Sequence, residues 1–166
     1  KSLKMQIIST SRTVYTLYTD DGSSAGSLTY LDDSLNEAIL SCDKEYFISK
    51  QSTGTWITKD ITTNIEAAVC KVKIGGTMML VINNKQYLFR KPFSWKLRLL
   101  MLDDEKEEML AFLPTANWKI HSYNYGLQLN DEFRKETGSF LILQALHCAV
   151  CSMAMMNGFI PPVVVC

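Results

Sequence analysis

Near the C-terminus, Phe140 to Met156 runs as "FLILQALHCAVCSMAMM" without one charged side chain. No other feature of the chain constrains its fold as strongly. A helix that is hydrophobic nearly all round belongs either in a bilayer or at the centre of a protein. The flanking residues read as helix boundaries. Ser139 is placed to cap the start, although no Glu or Gln follows at the third helical position. Asn157-Gly158 reads as a stop with Gly158 as a left-handed C-cap, and Pro161-Pro162 forbids continuation. These signals predict a helix over residues 140–157, roughly 26 Å long.

A spanning helix needs about 20 mostly apolar residues for a hydrocarbon core of about 30 Å. The segment is slightly short for that and contains Gln144, His147 and Ser152. At roughly 100° per residue, Gln144, His147, Cys148 and Cys151 share one mildly polar stripe. Ile142, Leu143, Leu146, Val150 and Met153 form the opposite, apolar one, and Ala145, Ala149, Ser152 and Ala154 allow close approach of surrounding backbone. A buried core helix is the favoured reading, and a single-pass C-terminal anchor is the runner-up.

A core helix needs a wall, and the rest of the chain supplies one. Residues 5–130 read as strand after strand. "VYTLYTDDGSSAGSLTYL" is two β-rich runs around a Gly/Ser/Asp turn. "AILSC" and "EYFISK" are separated by Asp43-Lys44, and "TGTWITKDI" opens on the turn glycine Gly54. In "AVCKVKIGGTMMLVINNKQYLFRK", Gly75-Gly76 breaks the first run and Asn83-Asn84 suits a tight turn between the next two. "WKLRLLML" alternates most clearly, with Trp95, Leu97, Leu99 and Met101 on one face and Lys96 and Arg98 on the other, until Leu100 and Leu102 break the pattern. "DDEKE" supplies a polar turn before "EMLAFLP", and "WKIHSYNYGLQLND" alternates again in part, with Lys119 and His121 on one side. Roughly nine to twelve short strands at this spacing suit a closed barrel or sandwich. A chain of 166 residues is most simply one domain, here 1–166.

The layout resembles the tubby-like C-terminal domain superfamily, which includes the phospholipid scramblase-like and LURP-one-related proteins. The resemblant features are the strand pattern to about residue 130, then "FLILQALHCAVCSMAMM", then a short apolar tail. "TYLDDSLNEAILSC" and "YFISKQSTGTWIT" are similar to early strands of the LURP-one-related members. The likeness rests on architecture and hydrophobic layout across nearly the whole chain, without a diagnostic motif. It implies a mainly β (α+β) fold: a closed antiparallel barrel of about twelve strands around one central hydrophobic helix. In function the resemblance points to phosphoinositide binding through a basic surface, or to action at membranes. No ligand residue is carried over.

Composition narrows the partners. Lys plus Arg equals Asp plus Glu, 17 each, so no global field points to nucleic acid. The five cysteines, Cys42, Cys70, Cys148, Cys151 and Cys166, are odd in number and irregular in spacing, which reads as a reducing, cytosolic setting. The chain opens on lysine, and a trimmed start is expected.

Motifs for chemistry are sparse. Cys148 and Cys151 form C-x-x-C with His147 before them. A redox pair wants its first cysteine near a helix N-terminus, and a structural zinc wants four ligands. This pair lies mid-helix and has no second pair, so buried, inert thiols are expected. His147 reads as a core histidine with one hydrogen-bond partner, and His121 as solvated. There is no P-loop, no G-x-S-x-G elbow, no G-x-G-x-x-G and no H-E-x-x-H, and neither metal, cofactor nor catalytic residue is assigned. Gly75-Gly76-Thr77 reads as a turn before it reads as an anion nest. The acids of 103–108 fit a solvated hairpin tip.

The charge is nonetheless uneven. Residues 85–98 carry Lys85, Arg90, Lys91, Lys96 and Arg98 with no acid, interleaved with Tyr87, Phe89, Phe93 and Trp95. A basic patch with aromatics can bind phosphates or an anionic membrane surface. Two strands with solvated outer faces would give the same pattern. The five basic residues are the expected ligand-binding set of a non-enzymatic binding module for anionic phospholipid headgroups or a protein. A barrel carrying a small apolar ligand ranks behind, because a helix inside leaves little room. An enzyme with a site dispersed over strand ends ranks last.

Overall fold

Period-two alternation puts one set of side chains inside a curved sheet and the other outside. In the computed structural model, which describes residues 5–92, 96–135 and 137–157, that alternation builds twelve strands. They are β1 (Gln6–Ser11), β2 (Val14–Tyr18), β3 (Ser24–Tyr30), β4 (Glu37–Ser41), β5 (Glu45–Ser52) and β6 (Thr55–Asp60). The second half comprises β7 (Glu66–Val72), β8 (Met78–Ile82), β9 (Lys85–Arg90), β10 (Leu99–Leu102), β11 (Glu108–Asn117) and β12 (Ser122–Leu129). Each strand pairs antiparallel with its sequence neighbours, and β1 closes on β12 through Gln6↔Gly126 and Ile7↔Tyr125. Closure removes the free edges that an open meander would leave for aggregation.

The connections follow from turn chemistry. Asn83 and Asn84 both take positive φ (51° and 66°) in the two-residue β8–β9 hairpin, a conformation that asparagine tolerates. Gly54 (φ 75°) turns β5 into β6, and Gly75 and Gly76 (φ 79° and 81°) make a short 3-10 turn between β7 and β8. Asp103 Oδ1 accepts from the backbone N–H groups of Glu105 and Glu107, ordering the acidic turn that joins β10 to β11.

The interior is filled by α1 (Ser139–Met156). Every residue from Leu141 to Ala154 is buried. A helix lying on the outside of a sheet would show solvent along one stripe. Burial through four turns without interruption means that wall surrounds it on all sides. Ile7, Leu17, Leu28, Leu40, Ile48, Trp56, Leu80, Phe89, Leu99, Phe112 and Tyr125 point inward from the strands and form one cluster with Leu143, Leu146 and Val150 of the helix. At Gly26, β3 lies against the helix with no room for a side chain. A Cβ there would stand 2.6 Å from the Ser41 carbonyl oxygen and 2.8 Å from Leu143 Cδ1. The closed barrel of about twelve strands around a hydrophobic helix is therefore the observed fold. By length and apolar character α1 still qualifies as a span, but its apolar surface is used inside the barrel.

Three local expectations change. Gly138, not Ser139, is the N-cap, and Ser139 is the first helical residue; no side chain caps the start. Residues 118–121 form the β11–β12 turn rather than part of an alternating strand. Ile120 N–H donates to the Asn117 carbonyl and His121 takes positive φ (54°), a turn that the β-prone types around it hide in the sequence. The strand in "WKLRLLML" is only Leu99–Leu102. Leu99 and Met101 face the main core as the alternation predicts. Leu100 and Leu102 form a second, separate buried cluster with Ala111, which is why they interrupt the pattern. Trp95 and the expected Gly158 C-cap lie outside the described residues.

Candidate functional site

The polar stripe of α1 meets polar groups on the wall. Gln144 Nε2 donates to Thr58 Oγ1 of β6 at 2.8 Å, while its Oε1 is buried without a partner. His147 Nδ1 lies 2.7 Å from the Tyr30 hydroxyl of β3, and its ring meets the edge of Trp56. Trp56 Nε1 in turn donates to the Leu35 carbonyl at 2.9 Å. Cys148 Sγ lies 3.2 Å from Cys70 Sγ of β7, and Cys151 Sγ lies 3.6 Å from His147 Nε2.

The electrostatics of this stripe are those of a core. Burial pushes the His147 pKa down to about 3, so the ring is neutral at neutral pH. Burial pushes the Tyr30 phenol and the Cys151 thiol well up. The Cys70 thiol is raised by its hydrogen bond with Cys148 and by burial. A general base works best with a pKa near the working pH and within reach of substrate. His147 has neither property. Among the described residues, no group of three or more His, Cys, Asp or Glu side chains converges to hold a metal ion.

At the C-terminal end of α1 the barrel mouth holds a cavity of about 240 Å³. Arg12 and Asp33 sit on its rim as an ion pair at 3.6 Å, and Val150 and Met153 line its apolar side. Tyr15 Oη lies 3.1 Å from Ser122 Oγ, and Ser9 Oγ lies 2.8 Å from Ser122 Oγ and donates to the Ser11 carbonyl. These hydroxyls satisfy one another. His121, exposed in its turn, stands at the same mouth, as the solvated reading expects. The opposite end carries a more open hollow of about 420 Å³ beside Phe140, Tyr46 and Asp60. There Asp60 accepts from the Thr62 and Thr63 backbone N–H groups and lies 3.7 Å from Lys44 Nζ. Its carboxylate is engaged in shaping the β6–β7 turn.

The five basic residues expected to bind ligand do not form one cluster. Arg90 ends β9 and pairs in register with Leu100, Lys91 follows it, and Lys96 and Arg98 lead into β10. Those four lie along one connection. Lys85 starts β9 at the opposite end of the strand, in a small hollow with Asp103 and Asp104. Arg98 Nη2 reaches Glu108 Oε1 at 3.5 Å, a part-exposed pair of the kind that contributes little to stability. Arg90 and Lys91 are exposed and form no salt bridge among the described residues. Of the interleaved aromatics, Phe89 packs into the core, Tyr87 is half-buried against it, and Phe93 and Trp95 lie outside the described residues. Gly75-Gly76-Thr77 is a turn in which Gly76 N–H donates to the Lys73 carbonyl and Lys73 N–H to the Thr77 carbonyl.

Sequence reasoning singled out the helix stripe but not its partners. Tyr30, Thr58 and Cys70 lie 117, 86 and 78 positions from theirs, and no local pattern ties them together. The Arg12–Asp33 rim was likewise silent. No family model matches this chain, and no curated protein or solved structure compared with it does so either.

Proposed function

We propose that this chain is a non-enzymatic binding module that engages anionic phospholipid headgroups through the β9–β10 connection. The carrying observation is the filled interior. Because α1 occupies the barrel, ligand recognition falls to the outer surface and the mouths. On that surface Arg90 and Lys91 stand exposed and unpaired among the described residues, with Lys96 and Arg98 on the same connection. Lysine and arginine near an anionic leaflet are worth about 1 kcal/mol each. A module that binds a surface needs no deep pocket, only cations that are not already neutralised. Lys85, which shares a hollow with Asp103 and Asp104, contributes less than Arg90 and Lys91. The architecture agrees with the tubby-like likeness, and we propose membership of that superfamily on the same grounds. Four free thiols among the described residues suit a reducing, cytosolic setting with peripheral attachment to membrane.

Co-sedimentation with phosphatidylcholine vesicles, with and without a phosphoinositide, tests the reading. Binding that needs the phosphoinositide, and that falls at least tenfold in Arg90→Glu/Lys91→Glu, is expected. Unchanged binding in that variant, or no binding at low salt, removes it.

The mouth cavity favours a second reading, a carrier of one small molecule. Its 240 Å³ lies below the roughly 300–1,000 Å³ of most ligand sites, so any cargo would be small. Native mass spectrometry reads it directly as a co-purified mass.

A further inference from the structure

The Cys70–Cys148 pair is more than two small hydrophobes in contact. Cys70 sits in the middle of β7, paired to Trp56 and Leu80 on either side, and Cys148 sits at the centre of α1. Their sulfurs are 3.2 Å apart across 78 positions of sequence. A disulfide holds its sulfurs at about 2.05 Å, so bonding them needs a movement of only about 1.2 Å. The motif visible in the sequence is Cys148-x-x-Cys151, yet Cys151 Sγ rests on the His147 ring. The fold has chosen a different partner for Cys148.

We propose that Cys70 and Cys148 form a disulfide that staples the central helix to the barrel wall under oxidising conditions. The oxidant is a small-molecule disulfide such as oxidised glutathione. When α1 loosens from β7, one cysteine loses its proton to solvent. Its thiolate attacks a glutathione sulfur and forms a mixed disulfide. The first glutathione thiolate leaves and takes up a proton. The other cysteine, deprotonated in turn, attacks the protein-bound sulfur of the mixed disulfide and expels the second glutathione. Two cysteine thiols become one disulfide, and one glutathione disulfide becomes two thiols. Both sulfurs are fully buried in the closed barrel, so the exchange is slow in the native state and fast during folding. A cross-link across so long a loop removes much of the freedom of the unfolded chain.

The chain is refolded from urea into oxidised glutathione, then alkylated and digested. The expected result is one cross-linked pair of peptides carrying Cys70 and Cys148, lighter by two hydrogens than the two thiol peptides. The melting temperature should rise by about 10 °C, return to its starting value with reductant, and fail to rise in Cys70→Val. Cys42→Ser/Cys166→Ser serves as the background that removes intermolecular linkage. Peptide mapping of the unaltered chain decides the matter even if Cys70→Val does not fold. Recovery of Cys70 and Cys148 fully alkylated overturns the proposal, and so does a Cys148–Cys151 link.

Discussion

Acid should unfold this protein earlier than its carboxylates alone require, because of His147. In the folded chain its pKa is about 3, against 6.5 for an ordinary histidine. At pH 7 the ring is neutral in the folded chain and mostly neutral in the unfolded one, so the difference has little effect. Below about pH 6.5 the unfolded chain takes up a proton that the folded chain refuses, so stability is lost as pH falls. The loss is about 1.4 kcal/mol per pH unit, reaching about 2 kcal/mol at pH 5, and the slope continues to about pH 3. The groups set against the ring are Tyr30, Trp56 and Cys151, with no carboxylate among them. Tyr30 and Cys151 have raised pKa values and stay neutral throughout that window. Urea unfolding at about pH 7 and about pH 5, for the wild type and for His147→Gln, isolates this contribution. Carboxylate titration is common to both proteins and cancels in the comparison. The wild type should lose about 2 kcal/mol more than the variant between the two pH values, or roughly 4–8 °C in melting temperature. Equal losses would mean that the imidazole reaches water, and the enclosed helix would be wrong.

Two further substitutions probe the packing. Gly26→Ala places a methyl group 2.6 Å from a backbone carbonyl oxygen and 2.8 Å from Leu143, at φ +155°, and should cost more than about 2 kcal/mol by thermal unfolding. Gln144→Met leaves Thr58 without its partner, whereas Gln144→Met/Thr58→Val removes both polar groups and the orphaned Oε1 together. The double variant should be more stable than the single one and within about 1 kcal/mol of wild type; simple additivity of the two changes would contradict the pairing.

Much of this architecture is legible in the sequence, for identifiable reasons. Strand alternation reports which face is buried, and Asn83-Asn84 and Gly75-Gly76 report turns through backbone conformations that few residues accept. The uncharged run at 140–156 reports a helix that needs apolar surroundings on every side. What stays hidden is non-local. Nothing near Cys70 announces Cys148, and nothing near Tyr30 announces His147. The turn at 118–121 is hidden for a different reason: Trp118 is large and β-prone, yet stands 80% exposed. The basic run shows the same limit. Five cations close in sequence become four on one connection and a fifth among acids at the other end of β9, because an extended strand separates its ends by about 3.3 Å per residue.

The account stands on a helix held inside a wall made by its own chain. Hydrogen exchange in detergent-free buffer, read by mass spectrometry on peptides spanning 141–154 and 66–72, tests that arrangement most directly. Helix and strand should exchange together, at the slow rate set by global unfolding. Fast exchange over 141–154 while 66–72 stays protected, or protection of the helix only after lipid is added, would place α1 outside the barrel.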